Sequence, residues 1–450
     1  MGQQRHDDLR RTALDHCIVP LATMHEVYEG NLHIYAKGDG ITLTDVDGRS
    51  YLDLMSAGTR ANSLGYGNRE IAQAVADQLA TLHYVGTVTN LTEPAIRLAA
   101  KLAELTPGRL AKTLFVSGGS EAVEAAFKLA RQYHVATGRK PRAYKIISRW
   151  NAYHGATMGA QAATDWLGTR HISEPGMIGY SQIPAPMCYR NPFGLDQTVY
   201  NDLCADYLAR QIEHEGPENV AAFIAEPVMQ ANGVQIPPAG YFRRVREICD
   251  EYDVLFIADE VITGFGRTGA WFAMEHFGVE PDLMTVAKAI TAGYQPLGAV
   301  IARAEIADAL PIFRHVHTFS GHAAAAAAAN AVIAILERDN LVERGRENGA
   351  YFLAALQREL EPLPIVGQVR GLGMWLAVDF TRDKATRSPF TDDTVPAVVR
   401  RMRELGVIAS PIGTAFELAP PLITSRAELD RAVAVARQAI VEVARQRGLG

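Results

Sequence analysis

Lys288, Asp259 and the segment around Gly119 are of types and spacing that could do chemistry. Lys288 directly follows the apolar run Leu283-Met-Thr-Val-Ala287. Burial and positive neighbours lower the pKa of an amine placed there, which makes it a nucleophile towards aldehydes. By itself it is equally a solvated lysine, as most lysines are. Asp259 and Glu260 close the run Val254-Leu-Phe-Ile-Ala258. A strand there would deliver carboxylates to the edge at which open α/β sheets bind ligands. A buried Asp needs a cationic partner, and a protonated pyridine nitrogen can be that partner; capping a turn is the simpler use. Phe115-Val-Ser-Gly-Gly-Ser-Glu-Ala-Val-Glu124 reads as strand end, tight turn and helix start. Glycines let backbone N–H groups approach an anion, and the helix N-terminus adds unpaired donors. Gly119 and Ser120 are the contacts expected of such a phosphate cup, although Ser120 would also serve as an ordinary N-cap. Together, an anion cradle, a strand-end carboxylate and an apolar-flanked lysine match what pyridoxal 5'-phosphate (PLP) requires: a phosphate anchor, a pyridinium partner and a lysine for the Schiff base.

Groups so placed need strands to carry them. Short runs rich in Val, Ile, Leu and Phe predict strands at Thr113–Ser117, Tyr144–Ser148, Ala222–Glu226, Val254–Asp259, Leu283–Ala287 and Gly298–Ala302. Helical patterns lie between them, as at Glu121–Thr137 and Gly240–Tyr252. In the first, Val123, Ala126, Phe127 and Ala130 recur at helical spacing and mark one buried face. This alternation predicts an α/β domain with a mostly parallel sheet, covered by helices on both faces. Residues 32–53 read as a short antiparallel unit with Asp47-Gly48 as its hairpin turn. After about residue 331 come long amphipathic helices, a strand at Met374–Phe380 and a final helix over 426–447. The expected division is a large domain over 66–330 and a smaller α/β domain built from 1–65 and 331–450.

The bulk numbers narrow the class. The chain has 450 residues, 48% of them hydrophobic and 21% charged, which is ample for a buried core. A net charge of −6 gives no reason to expect nucleic acid or an anionic membrane as partner. The N-terminus has no apolar stretch after its basic residues, so no secretory signal is read there. Its Met-Gly-Gln-Gln start lacks the Ser or Thr at position 6 that a myristoylation motif wants, since His6 stands there. No run approaches the length of a spanning helix, and the seven alanines Ala323 to Ala329 read as close helix packing. Cys17, Cys188, Cys204 and Cys249 show no Cys-x-x-Cys spacing. Neither zinc nor a disulfide framework is implied, each cysteine reads as a small core residue, and the cytoplasm is the expected compartment.

The segments Asp259-Glu-Val-Ile-Thr-Gly-Phe-Gly-Arg-Thr-Gly269, Ala287-Lys-Ala289, Tyr153-His-Gly-Ala-Thr157, Ala225-Glu-Pro227, Thr318-Phe-Ser-Gly-His322 and Leu418-Ala-Pro-Pro421 follow one another along the chain. In this the sequence resembles the class III aminotransferases of PLP fold type I, the ω-aminotransferases among them, from about residue 20 to 440. The resemblance implies that Tyr153 stacks on the cofactor ring while Val261 packs its other face. It implies that His154 and Glu226 lie at the cofactor, with Glu226 helping to hold Asp259. It also implies that Thr318 reaches the phosphate of a neighbouring subunit's cofactor, in a homodimer with shared active sites. Lys288 then serves as tether and general base, and an amino group passes from a primary amine or ω-amino acid to a 2-oxo acid such as pyruvate by ping-pong kinetics. Four departures from the family pattern bear on the site, the first on the phosphate and the others on substrate. The phosphate loop reads Gly118-Gly119-Ser120 where Ser-Gly-Ser is usual. Ser410 stands where many relatives carry a carboxylate-clasping arginine. Arg60 stands where many have tryptophan, and Val88 and Thr89 where many have two phenylalanines. Arg60, Val88 and Tyr153 are therefore the expected substrate contacts, Arg60 for an anionic group; a surface or interface ion pair is its simpler use. An aminomutase of the glutamate-1-semialdehyde type would use the same fold. A non-catalytic PLP-binding regulator would append a DNA-binding module, for which the short N-terminus leaves no room.

Overall fold

The computed structural model describes residues 2–21, 32–86, 88–166, 169–172, 174–187 and 189–449. Near the N-terminus β1 (Tyr35–Asp39), β2 (Thr42–Asp45) and β3 (Ser50–Asp53) form the expected antiparallel unit. The chain reverses between β2 and β3 at Asp47-Gly48, where Gly48 takes φ 84° and donates its N–H to the Asp45 carbonyl at 3.1 Å.

Seven strands make the central sheet: β4 (Leu110–Val116), β5 (Lys145–Arg149), β6 (Tyr180–Ile183), β7 (Val220–Ala225), β8 (Leu255–Asp259), β9 (Leu283–Val286) and β10 (Gly298–Arg303). Their spatial order is β4-β10-β9-β8-β7-β5-β6. Strands β9, β8, β7, β5 and β6 run parallel, while β10 is antiparallel to both β9 and β4. Two reversals cancel, so the C-terminal ends of β4, β8 and β9 reach the same edge of the sheet. Every residue of β7 and β8 is buried, as parallel strands covered on both faces must be. One face packs on helix Gly119–Thr137 through Ala122, Val123, Ala126 and Phe127. The other packs on helices Gln197–Glu215 and Tyr241–Glu251 through Tyr200, Leu208, Phe242 and Val245. Strand β6 has no counterpart in the sequence reading. Its Tyr-Ser-Gln-Ile sequence lies at a sheet edge, where polar side chains remain half-buried and no apolar run is needed.

The C-terminal part holds β11 (Val366–Leu372), β12 (Trp375–Phe380), β13 (Val407–Ile408), β14 (Ser410–Ile412) and β15 (Ala415–Leu418). Four of them form an antiparallel sheet in the order β11-β12-β15-β14. The fifth, β13, pairs in parallel with β3, so one sheet contains strands from both ends of the chain. Helix Ala323–Arg338 lays its alanines against helices Arg69–Thr81 and Glu93–Leu105, a close approach that single methyl groups permit. Cys204 and Cys249 are core residues as expected, but Cys17 is exposed, just past an N-terminal helix whose residues 8–16 have no buried side chain; Cys188 lies outside the described residues. Among the described residues, no helix is long and apolar enough to cross a membrane.

Candidate active site

One cavity of about 140 Å³ opens at the shared C-terminal edge, and Gly119, Ser120, Tyr153, His154, Glu226, Asp259, Val261 and Lys288 all line it. Asp259 ends β8 and is nearly inaccessible. Its Oδ2 lies 2.7 Å from His154 Nδ1, while Oδ1 accepts from Thr285 Oγ1 at 3.1 Å and from the Val261 N–H at 3.2 Å. Thr285 is the direct register partner of Asp259 on β9, so the sheet itself aims the carboxylate. The other ring nitrogen of His154, Nε2, is buried without a partner among the described residues. Glu226, just past β7, accepts from the Tyr153 N–H on Oε1 and from the Gln230 N–H on Oε2, both at 3.1 Å. Burial pushes its carboxyl pKa up, and the charges of His154 and Arg149 oppose that. Arg149, fully buried at the end of β5, donates from Nη2 to the Glu226 carbonyl at 2.5 Å. The Tyr153 ring meets Trp166 edge-on at 5.6 Å.

Lys288 follows β9 and is half-buried, with the left-handed φ of 49°. That conformation is strained for a non-glycine residue, and strain of this kind collects at functional sites. Burial, and next the Arg60 charge, lower its amine pKa to about 8, against the opposing pull of Asp259, Glu226 and Glu417. A neutral, nucleophilic amine is thus accessible near neutral pH. The helix after β4 opens at Gly119 with Gly118 at its N-cap and no side-chain cap. Ser120 is not the cap: its Oγ accepts instead from the Ala156 N–H at 3.0 Å. The opening N–H groups of the helix are therefore left for an anion. Gly119 is required by close approach, since a Cβ there would stand 2.9 Å from Val261 Cγ1. An uncapped helix start, a sheet-aimed carboxylate, a lowered amine and the Tyr153 and Val261 side chains in one lining fit PLP.

Three expected residues, Thr318, Val88 and Arg60, are not in the lining of this cavity. Thr318 is exposed, and its carbonyl accepts from Tyr84 Oη at 2.8 Å. Val88 is also exposed and lines a separate apolar groove of about 830 Å³ with Leu91, Ile96, Phe115, Ile312 and Val316. Glu260, the second strand-end carboxylate, does not line the cavity either. It is wholly buried, accepts from the N–H groups of Ala273 at 3.0 Å and Met274 at 2.8 Å, and is pushed up to about 7 by burial. It ties down the turn that follows β8.

Arg60 is buried and is no surface ion pair. It bonds Glu417, which is fully buried on β15: Nε donates to Oε2 at 3.0 Å, and Nη2 donates to the same oxygen. With its carboxamide turned oxygen-first towards Arg60, the orientation that satisfies both groups, Gln230 accepts from Nη1 at 3.0 Å and Nη2 at 2.9 Å. The loop bearing Arg60 is held by fully buried Asp53, which accepts from the N–H groups of Met55 at 2.9 Å and Ala57 at 2.7 Å and from Tyr66 Oη at 2.7 Å. Ser410 opposes Glu417 directly across β14 and β15. Glu417, Gln230, Thr285 and Arg149 were not reached from sequence. The available signal for Glu417 was a single charge inside Ala415-Phe-Glu-Leu418, a run otherwise apolar, where burial demands a partner.

The aminotransferase class-III family profile matches residues 24–440. A probable aminotransferase of Mycobacterium tuberculosis is 41% identical over 92% of this chain and 90% of its own length. The putrescine–pyruvate aminotransferase of Pseudomonas aeruginosa is 35% identical over 96% of this chain and 95% of its own. The taurine–pyruvate aminotransferase of Bilophila wadsworthia is 35% identical over 95% of this chain and 96% of its own. Among solved structures, the ω-transaminase of Pseudomonas jessenii in complex with PMP superposes with a TM-score of 0.94 at 32% identity, covering 98% of this chain and 99% of that one.

Proposed function

The chain belongs to the class III aminotransferases and is a PLP-dependent transaminase of fold type I, and on that premise we propose that it moves an amino group from a primary amine or ω-amino acid to a 2-oxo acid such as pyruvate. The observation that carries this reading is the convergence of the lowered Lys288 amine and the sheet-aimed Asp259 carboxylate on one cavity. Pyruvate stands in the names of two relatives at 35% identity.

When bound, PLP carries the amino group and takes up the electrons released at the substrate carbon. Lys288 Nζ would hold the cofactor, and as a general base it would take the proton from the amine-bearing carbon. Asp259, held by His154, Thr285 and the Val261 N–H, keeps a proton on the pyridine nitrogen. Glu226 anchors the Tyr153 backbone, and with it the ring opposite Val261. The N–H groups at Gly119 and Ser120 receive the phosphate. Residues 66–330 hold these groups, and 1–65 with 331–450 form the second unit. A second copy of the chain covers the groove at Val88 and brings its Thr318 to the phosphate, in a homodimer.

The test is the holoenzyme with a panel of primary amines and pyruvate. Alanine and the matching aldehyde or ketone are expected in equal amounts. Amino migration within the donor, without alanine, overturns the proposal.

A further inference from the structure

Glu417 presents an unusual balance. It is fully buried, and its Oε2 carries the whole load: Arg60 through Nε and Nη2, with Trp375 Nε1 at 3.5 Å. Its Oε1 is buried with no partner among the described residues. Half a buried carboxylate without a donor is unfavourable, and the usual remedy is a hydrogen bond from something the protein does not itself supply.

The direction of Glu417 follows from strand alternation. Phe416 and Leu418 enter the main core. Glu417 therefore shares the opposite face with Ala415 and Ala419, which pack with Val228, Ile262 and Trp375. Val228 and Ile262 both line the Lys288 cavity. Glu417 and Arg60 are also near enough to Lys288 to shift its amine in opposite senses. The pair thus lies behind the Val228 and Ile262 part of the cavity wall, and neither residue is itself in the lining.

Building on the transaminase reading above, we propose that Glu417 Oε1 is a subsite for a second, distal amino group of the donor, so that the preferred donor is a diamine. The ammonium of such a donor meets Oε1 while Arg60 stays on Oε2, and no existing bond has to break. An anionic donor group finds the reverse: the Arg60 guanidinium is already committed to Glu417 and Gln230, and the nearest oxygen is a buried carboxylate of like charge. A plain alkylamine leaves Oε1 as unsatisfied as before. The pair selects by charge at a distance from the chemistry, and Ser410, opposing Glu417, puts no second charge across from it.

The experiment compares α,ω-diamines with n-alkylamines of matched length and with taurine, on the holoenzyme with pyruvate. kcat/KM is read for each donor. The wild type is expected to favour its best diamine over the matched monoamine by roughly ten- to a hundredfold, and Glu417→Gln to reduce that ratio to near unity, mainly through KM. Because Gln at 417 leaves Arg60 buried without its counter-charge, the ratio is also read in the double variant Arg60→Met, Glu417→Met, which removes both charges together. Its collapse in both variants supports the subsite. A diamine preference that survives both, equal use of monoamine and diamine by the wild type, or a preference for taurine overturns it while leaving the transaminase reading intact. Failure of every amine to yield alanine overturns both.

Discussion

The floor and the rim of the cavity are built in opposite ways. The floor is local. Asp259, Lys288 and Gly119 each sit at the end of a central strand, and their neighbours in space are neighbours in the sheet. The rim, which stands behind the residues that line the cavity, is assembled from the two ends of the chain: Arg60 comes from the loop after β3, Glu417 from β15, and 357 residues separate them. The floor carries groups suited to handling a cofactor, whereas the rim carries an ion pair that no cofactor needs. Reaction type and substrate choice are thus borne by parts of the chain that can vary separately.

Breaking the floor should have the largest effect. Lys288→Ala is expected to lose turnover by several orders of magnitude while the protein keeps its thermal transition. Activity near wild type in that variant would remove the lysine from its role. Asp259→Asn comes next. It should still take up PLP, because the cup and Lys288 remain, but it cannot stabilise a pyridinium charge. Steady-state transamination within about threefold of wild type would contradict the role given to Asp259.

Breaking the rim should act on substrates selectively. Arg60→Ala leaves the buried Glu417 charge unbalanced behind the cavity, so it is expected to raise KM for carboxylated acceptors by up to roughly tenfold and to leave a neutral aldehyde acceptor much less affected. Equal responses would make Arg60 purely a structural partner of Glu417. Floor and rim also meet electrostatically. Capture of PLP by the apoenzyme should rise with pH around an inflection near 8, the value to which burial and Arg60 bring Lys288, because the neutral amine is the reactive form. Removing the positive charge in Arg60→Met should move that inflection upward. An inflection near the ordinary lysine value in the wild type would show that burial is not felt. Thr318→Ala carries the smallest expected effect, a weaker hold on PLP seen as faster loss on dilution. A monomer in sedimentation with full activity would rule out the shared site.

The same contrast explains what could be read from sequence. Strands β7, β8 and β9 are legible because both their faces are buried and every position but Asp259 and Thr285 is apolar. The residues closing β8 and following β9 then stand out as a carboxylate and an amine at the ends of apolar runs. The edge strand β6, half-buried with Ser181 and Gln182 inside it, leaves no such trace. The hydroxyl of Ser120 is ambiguous by type alone, and only the fold shows that it serves Ala156 rather than its own helix. Arg60 could be singled out by its type, but its partner could not. No local pattern reports a contact made across nearly the whole chain, and two short strands, β13 and β15, had to be in place to create it.

The backbone under Arg60 also narrows which residues can replace it. Ser56, Ala57, Gly58 and Arg60 all take positive φ, Arg60 at 63°, inside the loop that Asp53 holds. Valine, isoleucine and threonine suffer there from crowding at Cβ, at about 1–2 kcal/mol per residue, while glycine and asparagine enter readily. A mutant library at position 60 will therefore return a skewed alphabet, filtered by conformation before any substrate is met. Position 417 lies in ordinary strand geometry and carries no such filter. Variation in donor choice, whether by drift or by design, has its easier route through the carboxylate.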